Sequence, residues 1–125
     1  MLKIMIIDDQ PLLARCLCED LSDENYLISQ TTNIDDIYDD LAAFMPDIIL
    51  LDVCLNGIER WDILRRIKLE SPHIPILIVG TYPSIADDPR LGQADGYIIK
   101  DIYMDKVKDK LKEMNSSMDR WNEGY

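Results

Sequence analysis

The sequence predicts an α/β domain in which helices cover both faces of a doubly wound, five-stranded parallel sheet, and three observations carry that prediction. Short aliphatic runs recur along the chain, at residues 3–7, 47–51 and 75–79 among others. Past their first residues they are apolar without a break rather than alternating, as strands buried on both faces must be. Between them lie stretches whose apolar residues return every three or four positions, the pattern of amphipathic helices. Strand and helix alternate, and parallel strands joined by helices close through right-handed crossovers that place helices on both sides of the sheet.

The elements follow in order. Residues 3–7 are the first strand, short and bounded by acids. Pro11 suits a first helical turn, and Leu13, Cys16, Leu17 and Leu21 then recur at helical spacing until Ser22 and Asp23 break the pattern. Residues 26–29 give a weak second strand. Asn33 can cap a helix carrying Ile34, Ile37, Leu41 and Phe44, which Pro46 stops, with Asp35, Asp36, Asp39 and Asp40 facing outward. The third strand is 47–51, and Trp61, Leu64 and Ile67 mark a helix running to Glu70. Residues 75–79 and 97–99 are the fourth and fifth strands. Met104, Val107, Leu111, Met114 and Met118 draw one apolar stripe along a final helix. The strand order that fits is the flavodoxin-like 2-1-3-4-5, with about five helices.

A length of 125 residues suits one domain with one core, and 47% hydrophobic with 30% charged residues is ordinary for a globular chain. We assign residues 1–118 to the domain and 119–125 to a C-terminal tail or the start of a linker. No aliphatic run approaches the roughly 20 apolar residues that span a bilayer. The N-terminal apolar stretch ends in two acids too soon for a signal peptide. A cytoplasmic protein without membrane contact is expected. A net charge of −11 excludes this domain as a nucleic-acid binder in its own right. The 3 cysteines include no Cys-x-x-Cys pair, so reduced thiols are expected rather than a metal site. His73 lies between two prolines and reads as a solvated loop residue.

The polar residues gather at strand ends. The first strand ends in Asp8-Asp9, the third in Asp52, the fourth in Gly80-Thr81 and the fifth in Lys100. In such a sheet, function collects at the carboxyl ends of the strands where the first and third are neighbours. Three carboxylates that close together take up protons or bind a cation. Mg²⁺ favours oxygen ligands and is commonly held by one or two carboxylates with a phosphate. Lys100 supplies a point charge for a phosphoryl oxygen. A carboxylate can be the nucleophile of phosphoryl transfer, giving an aspartyl phosphate. Asp52 is the candidate for that role.

Over nearly its whole length the sequence resembles the receiver domains of bacterial response regulators. The resemblance rests on Ile-Met-Ile-Ile-Asp-Asp-Gln-Pro at the start, Pro-Asp-Ile-Ile-Leu-Leu-Asp-Val in the middle and Asp-Gly-Tyr-Ile-Ile-Lys-Asp near the end. It implies a CheY-like fold, with Asp52 as phosphoacceptor and Mg²⁺ bound by Asp8, Asp9, Asp52 and the backbone carbonyl of Cys54. Lys100 would contact the phosphoryl group, and Tyr97 would be the aromatic switch residue. The implied partners are a histidine kinase or phosphotransfer protein upstream, and a downstream protein or attached output domain. Such a chain is not a conventional enzyme: it accepts a phosphoryl group and dephosphorylates itself slowly.

Three departures from the family pattern stand out. Gly80 occupies the place of the usual Thr or Ser, which leaves Thr81 as the substitute hydroxyl and puts the switch in question. The stretch from Thr81 to Arg90 holds two prolines and no helical stripe, so a degraded fourth helix is expected. The loop after Asp52 reads Asn56-Gly57-Ile58-Glu59-Arg60 in place of Pro-x-x-Asp-Gly. Arg60 reads as a solvated helix-start residue and Trp61 as packing. A Tyr82 folded over the site would slow hydrolysis. The alternative function is a pseudo-receiver that acts as a phosphorylation-independent interaction module.

Overall fold

The computed structural model describes residues 1–21, 26–101 and 104–124, and the side chains of 1–19, 26–101 and 104–114. The elements run β1 (Leu2–Ile7), α1 (Leu12–Leu21), β2 (Tyr26–Thr31), α2 (Ile37–Phe44), β3 (Ile48–Leu51), a hairpin of β4 (Cys54–Leu55) and β5 (Ile58–Glu59), α3 (Trp61–Glu70), β6 (Ile76–Gly80), β7 (Gly96–Ile99) and α4 (Asp105–Gly124). The central sheet has the order β2-β1-β3-β6-β7 with every pair parallel. Leaving out the hairpin, that is the expected 2-1-3-4-5.

The strands bury alternate residues against two helical layers, as a side-chain period of two requires. Met5, Ile7, Ile49, Leu51, Ile76 and Ile78 pack with Ile37 and Leu41 of α2 and Ile63, Leu64 and Ile67 of α3. Their neighbours Ile4, Ile6, Ile48, Leu50, Leu77 and Val79 pack with Leu13 and Leu17 of α1 and Val107 and Leu111 of α4. Each such side chain contributes about 1.5–3 kcal/mol when fully buried. Both faces being apolar explains why these strands read as unbroken aliphatic runs.

Local chemistry sets the boundaries. Asn33 accepts a hydrogen bond from the Asp35 N–H at 3.0 Å and caps a 3₁₀ turn at Ile34–Asp36 that leads into α2. The helix stops at Met45, which is left-handed at φ 50, just before Pro46. Ahead of α4, the Asp101 carboxylate accepts from the Asp105 N–H at 3.1 Å. The break expected at Ser22 and Asp23 lies outside the described residues, as do the side chains of Leu21 and Met118. The backbone of α4 runs on past residue 118.

The described residues contain four α-helices, because two 3₁₀ turns, Pro83–Asp87 and Pro89–Gln93, stand where a helix would follow β6. Each begins at a proline, which donates no N–H. Asp88, held extended at φ −75 and ψ 126 in front of Pro89, ends one turn and caps the next by accepting from the Arg90 N–H. The degraded fourth helix expected from the two prolines therefore takes this form.

Candidate functional site

Register brings the acids together. Ile7 lies opposite Leu51 in the β1–β3 ladder, so Asp8 and Asp52 leave the sheet side by side. The Asp52 N–H donates to the Ile7 carbonyl at 2.9 Å. On the far side, Gly80 lies opposite Ile99 and the Lys100 N–H donates to the Gly80 carbonyl at 2.9 Å, which starts the lysine side chain at the same rim. Its Nζ reaches Asp8 Oδ2 at 2.7 Å and Asp52 Oδ2 at 2.8 Å.

These groups are nearly dry. Asp8 is 1% exposed and Asp52 7%. Burial, with a smaller push from the Asp52 charge, drives the Asp8 carboxyl above its ordinary range, against the opposing pull of the Lys100 contact and the Gln10 N–H. Burial also pulls the Lys100 ammonium down, but hydrogen bonds to Asp52 and Asp8 outweigh it and leave the lysine raised. One ammonium thus faces two buried carboxylates. The site carries an excess of negative charge and draws cations.

The remaining oxygens are anchored by backbone donors. Asp52 Oδ1 accepts from the Cys54 N–H at 2.9 Å and Asp8 Oδ1 from the Gln10 N–H at 3.0 Å. Asp9 turns outward, its Oδ2 accepting from the Asn56 N–H at 2.9 Å. Asn56 and Gly57, at φ 53 and 77, form the left-handed pair that a two-residue hairpin turn requires. The Asp9 carboxylate therefore ties the β4–β5 hairpin to the end of β1. Gln30 on β2 supports the same rim by donating Nε2 to the carbonyls of Asp8 and Gln10.

Among the described residues no three Asp, Glu, His or Cys side chains converge into a cage for a metal. What converges is a pair of carboxylates already bridged by a cationic ammonium, with Asp9 next to Asp8 in the chain. That donor set is all oxygen, and it fits an ion that completes its shell with waters and phosphate oxygens, as Mg²⁺ does.

The structure separates the other predicted residues. Thr81 is exposed at the rim, and Tyr82 is 59% exposed, so its ring does not fold over the carboxylates. Tyr97 is turned toward β6 and its hydroxyl donates to the Tyr82 carbonyl at 2.6 Å. Burial, with smaller contributions from Asp52 and Cys54, raises the Tyr97 pKa and keeps the hydroxyl protonated. Arg60 stands at the N-cap position of α3 without a side-chain bond to the helix backbone, and pairs with Asp62 at 2.9 Å rather than with the acids of the rim. Trp61 is buried in the core beneath the Arg90 guanidinium, 4.9 Å from its ring centre. His73 is exposed, lining a surface cavity of about 570 Å³ at the opposite, amino-terminal end of the strands. Cys16, Cys18 and Cys54 are free thiols.

Sequence reasoning missed Gln30, the hairpin role of Asn56 and the carbonyl of Tyr82. The Asn-Gly dipeptide was a readable hairpin signal. A glutamine in an edge strand and a carbonyl in a loop carry none.

Comparison with known proteins agrees with this fold. A family model described as the response regulator receiver domain matches residues 4–112. Sporulation initiation phosphotransferase F of Bacillus subtilis is 30% identical over 114 residues, covering 89% of this chain and 91% of that protein. The response regulator ArlR of Staphylococcus aureus is also 30% identical, but there the match covers 90% of this chain and only 52% of the relative. Among solved structures, the response regulator protein TrrA of Thermotoga maritima in complex with Mg²⁺-BeF superposes with a TM-score of 0.79 at 26% identity, covering 90% of this chain and 98% of that one. TrrA in complex with the histidine kinase ThkA gives a TM-score of 0.77, also at 26% identity. No described helix is long and apolar enough to cross a membrane.

Proposed function

Since the chain belongs to the response-regulator receiver family, we propose that Asp52 is its phosphoacceptor and that Asp8, Asp9, Asp52 and the Cys54 carbonyl hold Mg²⁺ beside it. The observation that carries this reading is the placement of Lys100 Nζ 2.7 and 2.8 Å from two buried carboxylates at adjoining strand ends. The ammonium bridges the pair and offsets part of its negative charge until a phosphoryl group arrives. It then stays within reach of that group's oxygens, where loose phosphoryl transfer places its charge.

An Asp52 oxygen attacks the donor phosphorus in line as the bond to the donor breaks. The Cys54 N–H on Oδ1 fixes the carboxylate plane and leaves Oδ2, on the lysine side, as the nucleophile. A bound Mg²⁺ supplies charge neutralisation for the transferring oxygens. Asp8 orients Lys100, and the Asp9–Asn56 tie holds the hairpin that carries the Cys54 carbonyl.

The donor is a histidine kinase or phosphotransfer protein, supported by the TrrA relative solved with its kinase. The output is a downstream protein or an attached domain, supported by relatives such as ArlR that are about twice as long as the match. Residues 1–118 form the receiver unit and 119–125 a tail or linker, in a cytoplasmic setting. The chain accepts and slowly loses phosphate rather than turning over a substrate. The intact Asp52–Asp8–Lys100 constellation argues against a phosphorylation-independent module.

The test is incubation with Mg²⁺ and acetyl phosphate followed by intact mass. Wild type gains a phosphoryl adduct and Asp52→Ala does not. An adduct that persists in Asp52→Ala, or none in wild type even with its kinase, defeats the assignment.

A further inference from the structure

The side chain absent from position 80 leaves a space, and a residue of the neighbouring strand fills it. Gly80 is the buried last residue of β6. A methyl carbon built on it would lie 3.3 Å from both Cε2 and Oη of Tyr97 and 3.5 Å from Cδ1 of Ile85. Comfortable carbon contacts fall at about 3.5–4.0 Å, so the Tyr97 ring already stands in the volume a side chain at 80 requires. A threonine would add two further heavy atoms about 1.5 Å beyond that carbon.

Register explains how the ring gets there. Tyr97 lies opposite Ile78 and Gly80 opposite Ile99, so the ring starts two residues below the glycine. Strand side chains lean along the strand, and an aromatic spans such a diagonal step. The far end of the ring is tied down by the hydrogen bond from its hydroxyl to the Tyr82 carbonyl, 2.6 Å long. Ile85, buried on the first 3₁₀ turn, closes the other side of the space. None of these three contacts involves the carboxylates or a phosphoryl group.

We propose that Gly80 is a positioning residue: by having no side chain it holds Tyr97 turned inward whatever the state of Asp52. The loop at Tyr82 and the two 3₁₀ turns behind it then keep one arrangement before and after phosphorylation. The role of Gly80 in the free protein stands on the contacts above, and only the indifference to phosphorylation rests on the phosphoacceptor reading.

Fluorine NMR of the fluorotyrosine-labelled protein tests both parts, with the Tyr97 line identified by its loss in Tyr97→Phe. In wild type the line stays within its own width when Mg²⁺ and beryllofluoride are added. In Gly80→Thr the ligand-free line moves by several linewidths, and in Gly80→Ala it moves the same way by less, which guards against a threonine variant that fails to fold. Resonances of bound fluoroberyllate report occupancy of the Asp52 site independently. If they never form, the phosphoacceptor reading fails, while the three ligand-free spectra still decide the role of Gly80. A wild-type Tyr97 line that shifts with bound fluoroberyllate, or variant lines that coincide with wild type, overturns the proposal.

Discussion

Replacing Lys100 by methionine removes the cation from two buried carboxylates while keeping most of the aliphatic stem. Its side chain is 12% exposed and those of Asp8 and Asp52 are 2% and 9% exposed, so solvent screens the pair poorly. At about 2.7–2.8 Å and an effective dielectric near 20, each contact is worth roughly 6 kcal/mol before desolvation is charged against it. Removing one side of a buried ion pair costs about 3–5 kcal/mol net. For a chain of 125 residues, that lowers Tm by roughly 10–20 °C.

The pH dependence gives the prediction its sign. Asp8 is already raised by burial, and Lys100 is the foremost group holding it down. Without the lysine its folded pKa climbs further above the unfolded one. An acid with a raised folded pKa binds its proton more tightly in the native state, so stability is greatest at low pH and falls as pH rises through that pKa. The methionine variant should therefore lose less stability, relative to wild type, at about pH 5 than at about pH 7.5, because a proton takes the place of the ammonium. Millimolar Mg²⁺ should recover part of the loss at the higher pH by occupying the same carboxylates. Urea denaturation at the two pH values, with and without Mg²⁺, measures this. A penalty below about 1 kcal/mol, or one indifferent to both pH and Mg²⁺, refutes the reasoning that Lys100 holds down the Asp8 carboxyl.

Two further outcomes follow from local geometry. Gly57 sits at φ 77, and a methyl carbon at that position would have nothing within 4 Å, so Gly57→Ala should cost about 1–2 kcal/mol from backbone strain alone, read as a fall in urea midpoint with no change in slope. Asp95 accepts from Lys68 Nζ at 2.7 Å and from the Ile76 N–H at 2.8 Å, and although burial pushes its carboxyl up, those contacts leave it lowered. Asp95→Ala should cost about 1 kcal/mol near neutral pH. A depressed folded pKa contributes stability above the ordinary 3.8 that is lost as pH falls through the folded value, so the gap between variant and wild type should close in acid; a gap that stays open there removes Asp95 from the account.

The sheet and the acidic rim were legible because both depend on patterns that survive in one dimension. Ile4, Ile6, Ile48 and Leu50 alternate with Met5, Ile7, Ile49 and Leu51 between two apolar layers, so the strands show as solid aliphatic runs. A charged residue ending such a run must lie at the edge of the sheet. That placed Asp8, Asp52 and Lys100 without any knowledge of their contacts. The prolines at 83 and 89 likewise announced the missing helix, since each removes an N–H that a helix needs. Helix ends were less exact where a backbone feature rather than a residue type decides them, as at Met45, whose left-handed conformation terminates α2 one residue before the proline expected to stop it.

The carboxylate Asp9 shows where one-dimensional pattern stops. Adjacent acids at a strand end read as equal partners, yet successive side chains diverge, and here Asp8 turns onto Lys100 while Asp9 turns onto the Asn56 N–H. The same limit applies with more consequence at Gly80. The sequence displays a missing hydroxyl and Thr81 as the nearest replacement, but Thr81 lies past the end of β6 and is exposed. The residue that takes up the space is seventeen positions later, and it is brought there by the Gly80–Ile99 and Ile78–Tyr97 register of β6 and β7. A deletion on one strand is answered by a ring on the next, and the hydroxyl of that ring is spent on the Tyr82 carbonyl rather than on the carboxylates. The Lys100 bridge at Asp52 and the placement of the Tyr97 ring therefore rest on separate hydrogen bonds in this chain, so substitutions at Lys100 should alter the proposed phosphate reception without moving the ring.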